Sequence, residues 1–218
     1  MQIQLTGNPF VDTGLFVLAY LAKVESPNQL SLDAIKSVHG DGTKLARINA
    51  RLKSFTMVFG TNGPLTQTGY RPKGKKKEVS DKNITAYTGV LDTFLEEMYQ
   101  PSTDYPLCEI CGTEYGFDFD GVVRRALTNA LVTDRGIKQV GREWFPLAGS
   151  TGNDAQALPS ASRGLSVCAK CLFVVHYMPQ GLMLMQGRLV CFQSNHVRIA
   201  YELTGDLVND YGEKFSAT

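Results

Sequence analysis

A mainly helical α+β fold with short strands, a β-hairpin in the C-terminal half and a four-cysteine site is what this sequence predicts. Three observations carry the prediction. Apolar residues recur at helical spacing in several segments, a β-rich run lies around Arg188-Leu-Val-Cys-Phe, and two Cys-x-x-Cys pairs punctuate the second half. At 218 residues, 43% hydrophobic and 20% charged, the chain can bury one substantial core. Residues 1–105 read as a mostly helical region with a basic loop at 60–83, and residues 106–218 as a metal-binding α+β region; the two are expected to form one compact unit.

Gln2 to Thr6 reads as a short strand, followed by a turn at Gly7-Asn8-Pro9, where proline fixes its own backbone and restricts its predecessor. Asp12 or Thr13 is expected to cap a first helix with Leu15, Leu18, Ala19 and Ala22 inward, ending near Ser26-Pro27. A second, shorter helix is expected from Ser31 to Val38. The third is the most regular: from Thr43 to Phe59, Leu45, Ile48, Leu52, Phe55 and Phe59 recur at helical spacing. Beside that apolar face Lys44, Arg47 and Arg51 form a basic stripe, which reads either as a solvated surface or as a track for phosphates.

Periodicity disappears from Gly60 to Asn83. There Arg71, Lys73, Lys75, Lys76 and Lys77 place five positive charges in seven residues with no acid among them, beside the stacking-capable Tyr70. Five phosphate contacts would give a salt slope near about −4.5, weakening binding about 500-fold between roughly 50 and 200 mM salt. With a net charge of only +1, attraction to nucleic acid has to come from such local clusters.

Ile84 to Gln100 reads as a helix with Tyr87, Leu91, Phe94, Leu95 and Met98 inward, halted by Pro101. Another runs from Gly121 to Thr133 with Asp120 as its cap. Gly149 to Gly164 is rich in Gly, Ser, Ala and Pro and reads as a loop. Phe173–Tyr177 and Leu182–Phe192 read as strands joined around Pro179-Gln180-Gly181, and Val197–Asn209 as a final helix with Ile199, Ala200, Leu203 and Leu207 on one face.

Cys108 and Cys111, and then Cys168 and Cys171 after 56 intervening residues, have the spacing of a zinc ribbon. Two residues between thiols let a tight turn present both sulfurs to one ion at about 2.3 Å, and Gly112 permits the left-handed backbone such knuckles favour. A thioredoxin-like pair would follow a strand and open a helix, and neither pair is expected to do so. The expected cofactor is therefore a structural Zn2+. Cys191 reads as a buried strand residue. No charged start with an apolar run and cleavage site opens the sequence, and no apolar stretch reaches a membrane span, so a cytoplasmic location without membrane contact is expected.

No catalytic constellation stands out. His39, His176 and His196 are scattered and read as structural, and no Gly-x-Ser-x-Gly or phosphate-binding loop occurs. Asp118 and Asp120 would hold magnesium only with a third ligand from elsewhere.

The opening Leu5-Thr6-Gly7-Asn8-Pro9-Phe10-Val11-Asp12-Thr13-Gly14, the later Phe145-Pro146-Leu147-Ala148-Gly149-Ser150, and the second cysteine pair followed by Met178-Pro179-Gln180-Gly181 resemble, in that order, the large subunit of type I (I-B-like) CRISPR Cascade surveillance complexes. The resemblance implies a non-enzymatic subunit that contributes to protospacer-adjacent-motif recognition, target duplex binding and guide RNA 5′-end contact, in antiviral defence or RNA-guided transposition. The implied partners are guide CRISPR RNA, target double-stranded DNA and the backbone, guide-cap and small subunits of Cascade. Asn8 would then touch a base edge or the guide backbone, or simply hold the first helix, while the basic stripe and loop would hold phosphates. Such subunits are usually longer, so the sequence would be an N-terminal portion or a short form. The alternative is a stand-alone zinc-ribbon nucleic-acid-binding protein of transcription or RNA processing, and a further rival is a metal-dependent nuclease.

Overall fold

The structure, a computed structural model, describes residues 3–59, 63–66, 81–100, 103–130, 140–146 and 165–216, the last four by their backbone alone. The basic loop residues Tyr70, Arg71, Lys73, Lys75, Lys76 and Lys77, and the Gly149–Gly164 loop, lie outside the described residues.

Helix α1 (Pro9–Leu21) sits at the centre, and every residue from Val11 to Ala19 is buried. A helix apolar on nearly all sides has to be surrounded, and its two polar exceptions are committed locally. Thr13 Oγ1 donates to the Pro9 carbonyl at 2.7 Å and sits 3.1 Å from the Cys191 sulfur. The Asp12 carboxylate accepts from the Thr6 N–H, the Thr6 hydroxyl and the Gly7 N–H at 2.7, 2.8 and 2.9 Å. Those bonds bend residues 3–8 into an irregular segment instead of the expected strand. The cap is Asn8, not Asp12 or Thr13: its side-chain oxygen accepts from the N–H of Phe10 and Val11, with Pro9 at the first helical position.

Helix α2 (Leu32–His39) is capped by Ser31, close to expectation. The long helix expected from Thr43 to Phe59 is two: α3 (Thr43–Arg51) and α4 (Lys53–Val58), broken where Leu52 turns to an extended conformation at φ −75°, ψ 122°. No proline or glycine marks this break. It re-aims α4 so that the buried Ser54 hydroxyl reaches the Pro179 carbonyl at 3.0 Å and Phe59 stacks on His176 with ring centroids 4.7 Å apart.

Helix α5 (Asp81–Tyr99) packs its Ala86, Val90, Leu91, Phe94 and Met98 face into the core and lies along α6 (Phe119–Asn129). The α6 cap is Asp118, whose carboxylate accepts from Gly121 N–H at 3.0 Å; Asp120, expected to cap, instead pairs with Arg124 one turn on at 2.7 Å. Helix α7 (Ala169–Val175) replaces the first expected strand, and all seven of its residues are buried. Its β-branched and aromatic residues favour strand in isolation, but the Cys168 side chain caps the helix and the packing on every side overrides propensity. Close approach to α1 sets one residue: a Cβ on Gly14 would lie 2.2 Å from the Val174 carbonyl oxygen.

Met178–Gly181 form a 3-10 turn rather than the expected hairpin loop. The hairpin is one turn later, with β1 (Leu182–Met185) antiparallel to β2 (Arg188–Cys191) in the register Leu182 to Cys191. Gln186 and Gly187, at φ 49° and 75°, make the two-residue turn whose left-handed backbone matches strand twist. Helix α8 (Val197–Ser216) crosses α1 but buries Ala200, Thr204 and Val208; Ile199 and Leu203, expected inward, are 51% and 39% exposed. Glycine sets the seat: a Cβ on Gly205 would strike the Tyr20 ring. Among the described residues the architecture is eight α-helices, with α1 at the centre of the other seven, and one two-stranded antiparallel hairpin. No described helix is long and apolar enough to cross a membrane.

Candidate metal centre

The first cysteine pair sits in a turn closed by backbone. Cys108 N–H donates to Glu114 at 2.7 Å, Gly112 N–H to Cys108 at 2.8 Å and Gly116 N–H to Pro106 at 2.9 Å, with Leu107 and Tyr115 bridged as in a short hairpin. Gly112 takes the expected left-handed conformation at φ 65°. The second pair opens α7, contrary to expectation: Cys168 is the cap and its sulfur accepts from Cys171 N–H at 3.5 Å. Two bonds tie the knuckles together, Glu109 N–H to the Ser166 carbonyl at 2.8 Å and the Ser166 hydroxyl to the Pro106 carbonyl at 3.1 Å.

All four sulfurs lie within 4.8 Å of one another, with Cys108 to Cys171 at 4.0 Å and Cys111 to Cys168 at 3.8 Å. A tetrahedron with metal–sulfur bonds of about 2.3 Å has edges of about 3.8 Å, so the cluster fits a single tetrahedral ion. Cys108, Cys168 and Cys171 are buried and Cys111 partly so. The four thiols do not share one acidity. Hydrogen bonds to Cys108, Cys168 and Cys171 hold the Cys111 thiol far below its ordinary value, while those to Cys108, Cys111 and Cys168, with burial, push Cys171 well above. Four sulfurs this close become thiolates together only around a cation. Beside them Lys170, 4% exposed, reaches the Glu114 carboxylate at 3.6 Å, an ion pair joining the second knuckle to the first. Among the described residues no other group of three His, Cys, Asp or Glu is placed to hold one ion, Asp118 and Asp120 included.

The remaining site residues fall elsewhere. Lys44, Arg47 and Arg51 are all exposed on one face of α3, as the spacing requires. Lys53, also exposed, extends them onto α4, and the sequence reading missed it although residues 42–59 hold no acid at all. Asn8 commits its side-chain oxygen to the α1 cap. That is the structural role weighed beside a nucleic-acid contact.

Two buried polar chains were not legible from spacing. His39 bridges Tyr177 hydroxyl and the Asp92 carboxylate, 2.9 Å to each, linking α2, α5 and the end of α7. His176, fully buried, sits 2.8 Å from Tyr87 hydroxyl, and Asn49 donates to that same hydroxyl at 3.0 Å and to the His176 carbonyl at 2.9 Å. Burial pushes the His176 imidazole down to about 3, so it is neutral wherever the protein is folded at ordinary pH. His196 is exposed. No protein family, curated protein or solved structure matches the chain.

Proposed function

We propose that this chain is a non-catalytic, zinc-stapled large subunit, or the N-terminal portion of one, of a type I CRISPR RNA-guided surveillance complex. In this reading it contributes to protospacer-adjacent-motif recognition, target duplex binding and guide 5′-end contact. One observation supports it most: the segments that carry the sequence resemblance, far apart in the chain, pack against one another. Gly14 abuts Val174 just after the second cysteine pair, a Cβ on Gly181 would lie 2.7 Å from Thr13 Cγ2, and Phe10 and Pro146 line the same cavity. Segments that together build one joint surface are expected to meet in this way.

The metal is proposed to be zinc, which four thiolates bind in a closed tetrahedron, leaving no position for a reacting water. The ion then acts as a clamp. Exposed Lys44, Arg47, Arg51 and Lys53, with the cations Arg71, Lys73, Lys75, Lys76 and Lys77 of the sequence, hold phosphates, and guide pairing supplies most of the sequence discrimination.

Co-expression with guide RNA and the other subunits, followed by affinity purification and RNA sequencing of the bound material, tests the proposal. The expected result is stoichiometric recovery of guide and partners, and a duplex-binding preference that depends on a short flanking motif. Binding of nucleic acid by the chain alone, with neither guide nor partners recovered, would replace this reading by that of a stand-alone zinc-ribbon protein. Metal-dependent strand cleavage by the purified chain would overturn both.

A further inference from the structure

A cavity of about 210 Å3 opens between α1, α4, the 140–146 segment and the hairpin. Phe10, Met57, Val58, Pro146 and Leu189 form apolar walls, and among the described residues the exposed Arg142 is the one charged residue lining it and no carboxylate does. Ligand sites for whole drug-sized molecules run roughly 300–1,000 Å3, so this space suits a single ring system rather than a complete nucleotide cofactor. An aromatic ring, a thioether and a proline face are the surfaces on which an unstacked base settles, and a guanidinium at the edge complements the phosphate attached to it.

The stretch of sequence that ends at the cavity is cationic. Met57 and Val58 end a stretch, residues 42–59, that carries exposed Lys44, Arg47, Arg51 and Lys53 and no Asp or Glu. An apolar side chain from a protein partner would fill the walls equally well, but the guanidinium of Arg142 at the cavity and a basic, acid-free stretch of sequence ending at Met57 and Val58 favour a polyanion. We propose that this cavity receives one unpaired base of a single-stranded RNA, with Arg142 on the adjoining phosphate. The inference rests on the guide-RNA reading above and adds to it a specific seat.

Cys191 also lines the cavity and is partly exposed, while the other four cysteines form the metal cluster. Its alkylation by iodoacetamide, read peptide by peptide in the mass spectrometer, therefore reports occupancy. The test uses the full chain assembled with its guide RNA, with and without nuclease digestion of that RNA. Bound RNA is expected to slow Cys191 alkylation at least fivefold. Leu189→Phe, which fills the cavity, and Arg142→Gln, at an exposed position, are each expected to weaken RNA binding roughly fivefold or more, the lower end of what losing a base-stacking partner does. Unchanged thermal unfolding of the two variants excludes misfolding as the cause. RNA that binds while Cys191 stays equally reactive, or binds both variants normally, overturns the pocket and leaves the guide-RNA reading intact. Protection of Cys191 that survives complete RNA digestion assigns the cavity to a protein partner and also overturns it. Failure to recover any RNA removes the reading and the pocket together.

Discussion

Changing Cys171 to serine probes the clamp most directly. Cys171 is fully buried at the start of α7, a helix with no exposed residue, so the loss cannot be relieved by letting one side chain turn to solvent. The metal would join Cys111 to Cys168 across 57 positions of chain, and closing a loop of that length with a cross-link removes about 4 kcal/mol of unfolded-state entropy in the chain-entropy account. For a chain of this size each kcal/mol moves the unfolding temperature by roughly 2–4 °C, so Cys171→Ser should lower it by roughly 8–16 °C. Elemental analysis should find one zinc per wild-type chain and a small fraction of that in the variant. A strong chelator should reproduce the shift in the wild type. Cys191→Ser, outside the cluster, should keep its zinc and unfold within about 3 °C of wild type, because serine is nearly isosteric and can keep the contact with the Thr13 hydroxyl at this half-buried position. Stoichiometric metal in Cys171→Ser, or unfolding within a few degrees of wild type, would refute the assignment of Cys171 as a ligand. Stoichiometric iron in place of zinc would refute the choice of ion while leaving the clamp.

Three further outcomes follow from packing and from buried charge. Gly14→Ala places a methyl against the Val174 carbonyl, at a Cβ distance of 2.2 Å, and should cost about 1–3 kcal/mol of overpacking strain, read as a lower urea midpoint with an unchanged slope. His176 holds a proton near 6.5 in the unfolded chain but only near 3 when folded. Its contribution is therefore complete above pH 6.5 and is lost as pH falls, at about 1.4 kcal/mol per unit down to about pH 3. Urea unfolding of wild type and His176→Gln at pH 7, 6, 5 and 4 should show that slope component missing in the variant; parallel curves would sink the idea. Asp92→Ala leaves the buried His39 Nε2 without the acceptor it has at 2.9 Å, and should cost about 1–3 kcal/mol by the same denaturant assay.

What the sequence made legible was whatever is encoded in spacing. The cysteine pairs predicted the cluster, and the helical repeats of Leu45, Ile48, Tyr87, Leu91 and Phe94 predicted α3 and α5. The hairpin lay inside the run expected to be β, but its turn was assigned to Pro179-Gln180-Gly181 because proline and glycine punctuate strongly; Gln186-Gly187 wins because both of its residues adopt left-handed backbone. The break at Leu52 and the helical state of Phe173–Val175 were illegible because their causes are distant in sequence. One depends on Ser54 meeting Pro179, the other on Cys168 capping a helix that is buried on every side. The same holds for His39 and His176. A histidine's partners 53 to 138 positions away leave no local trace. The outward turn of Ile199 and Leu203 follows from Gly205: the Tyr20 ring rests where its side chain would be, and this fixes which face of α8 meets α1.

The chain from Cys168 to Cys191 also explains how a metal held by the four cysteines would matter to a distant charged surface. From the cluster, α7 runs inward past Gly14 of α1. His176 and Tyr177 then engage Tyr87 and His39, the Pro179 carbonyl holds Ser54 of α4, and the hairpin returns to set Cys191 against Thr13. Loss of the clamp is therefore transmitted to α4 and to the cavity while every exposed cation on α3 keeps its charge. Charge reversal at Lys44, Arg47 and Arg51 does the opposite, inverting charge at three exposed positions without touching the cluster. If all three touch phosphates of duplex DNA, that triple reversal should reduce the steepness of log affinity against log salt by roughly 2.7, with the unfolding temperature little changed. Zinc removal should instead lower affinity at every salt concentration and leave the steepness near its wild-type value. Titrations across a series of salt concentrations separate the two effects. A flatter salt dependence after zinc removal would mean that the clamp itself arranges the phosphate contacts. An unchanged slope after charge reversal would take the α3 stripe out of the binding surface.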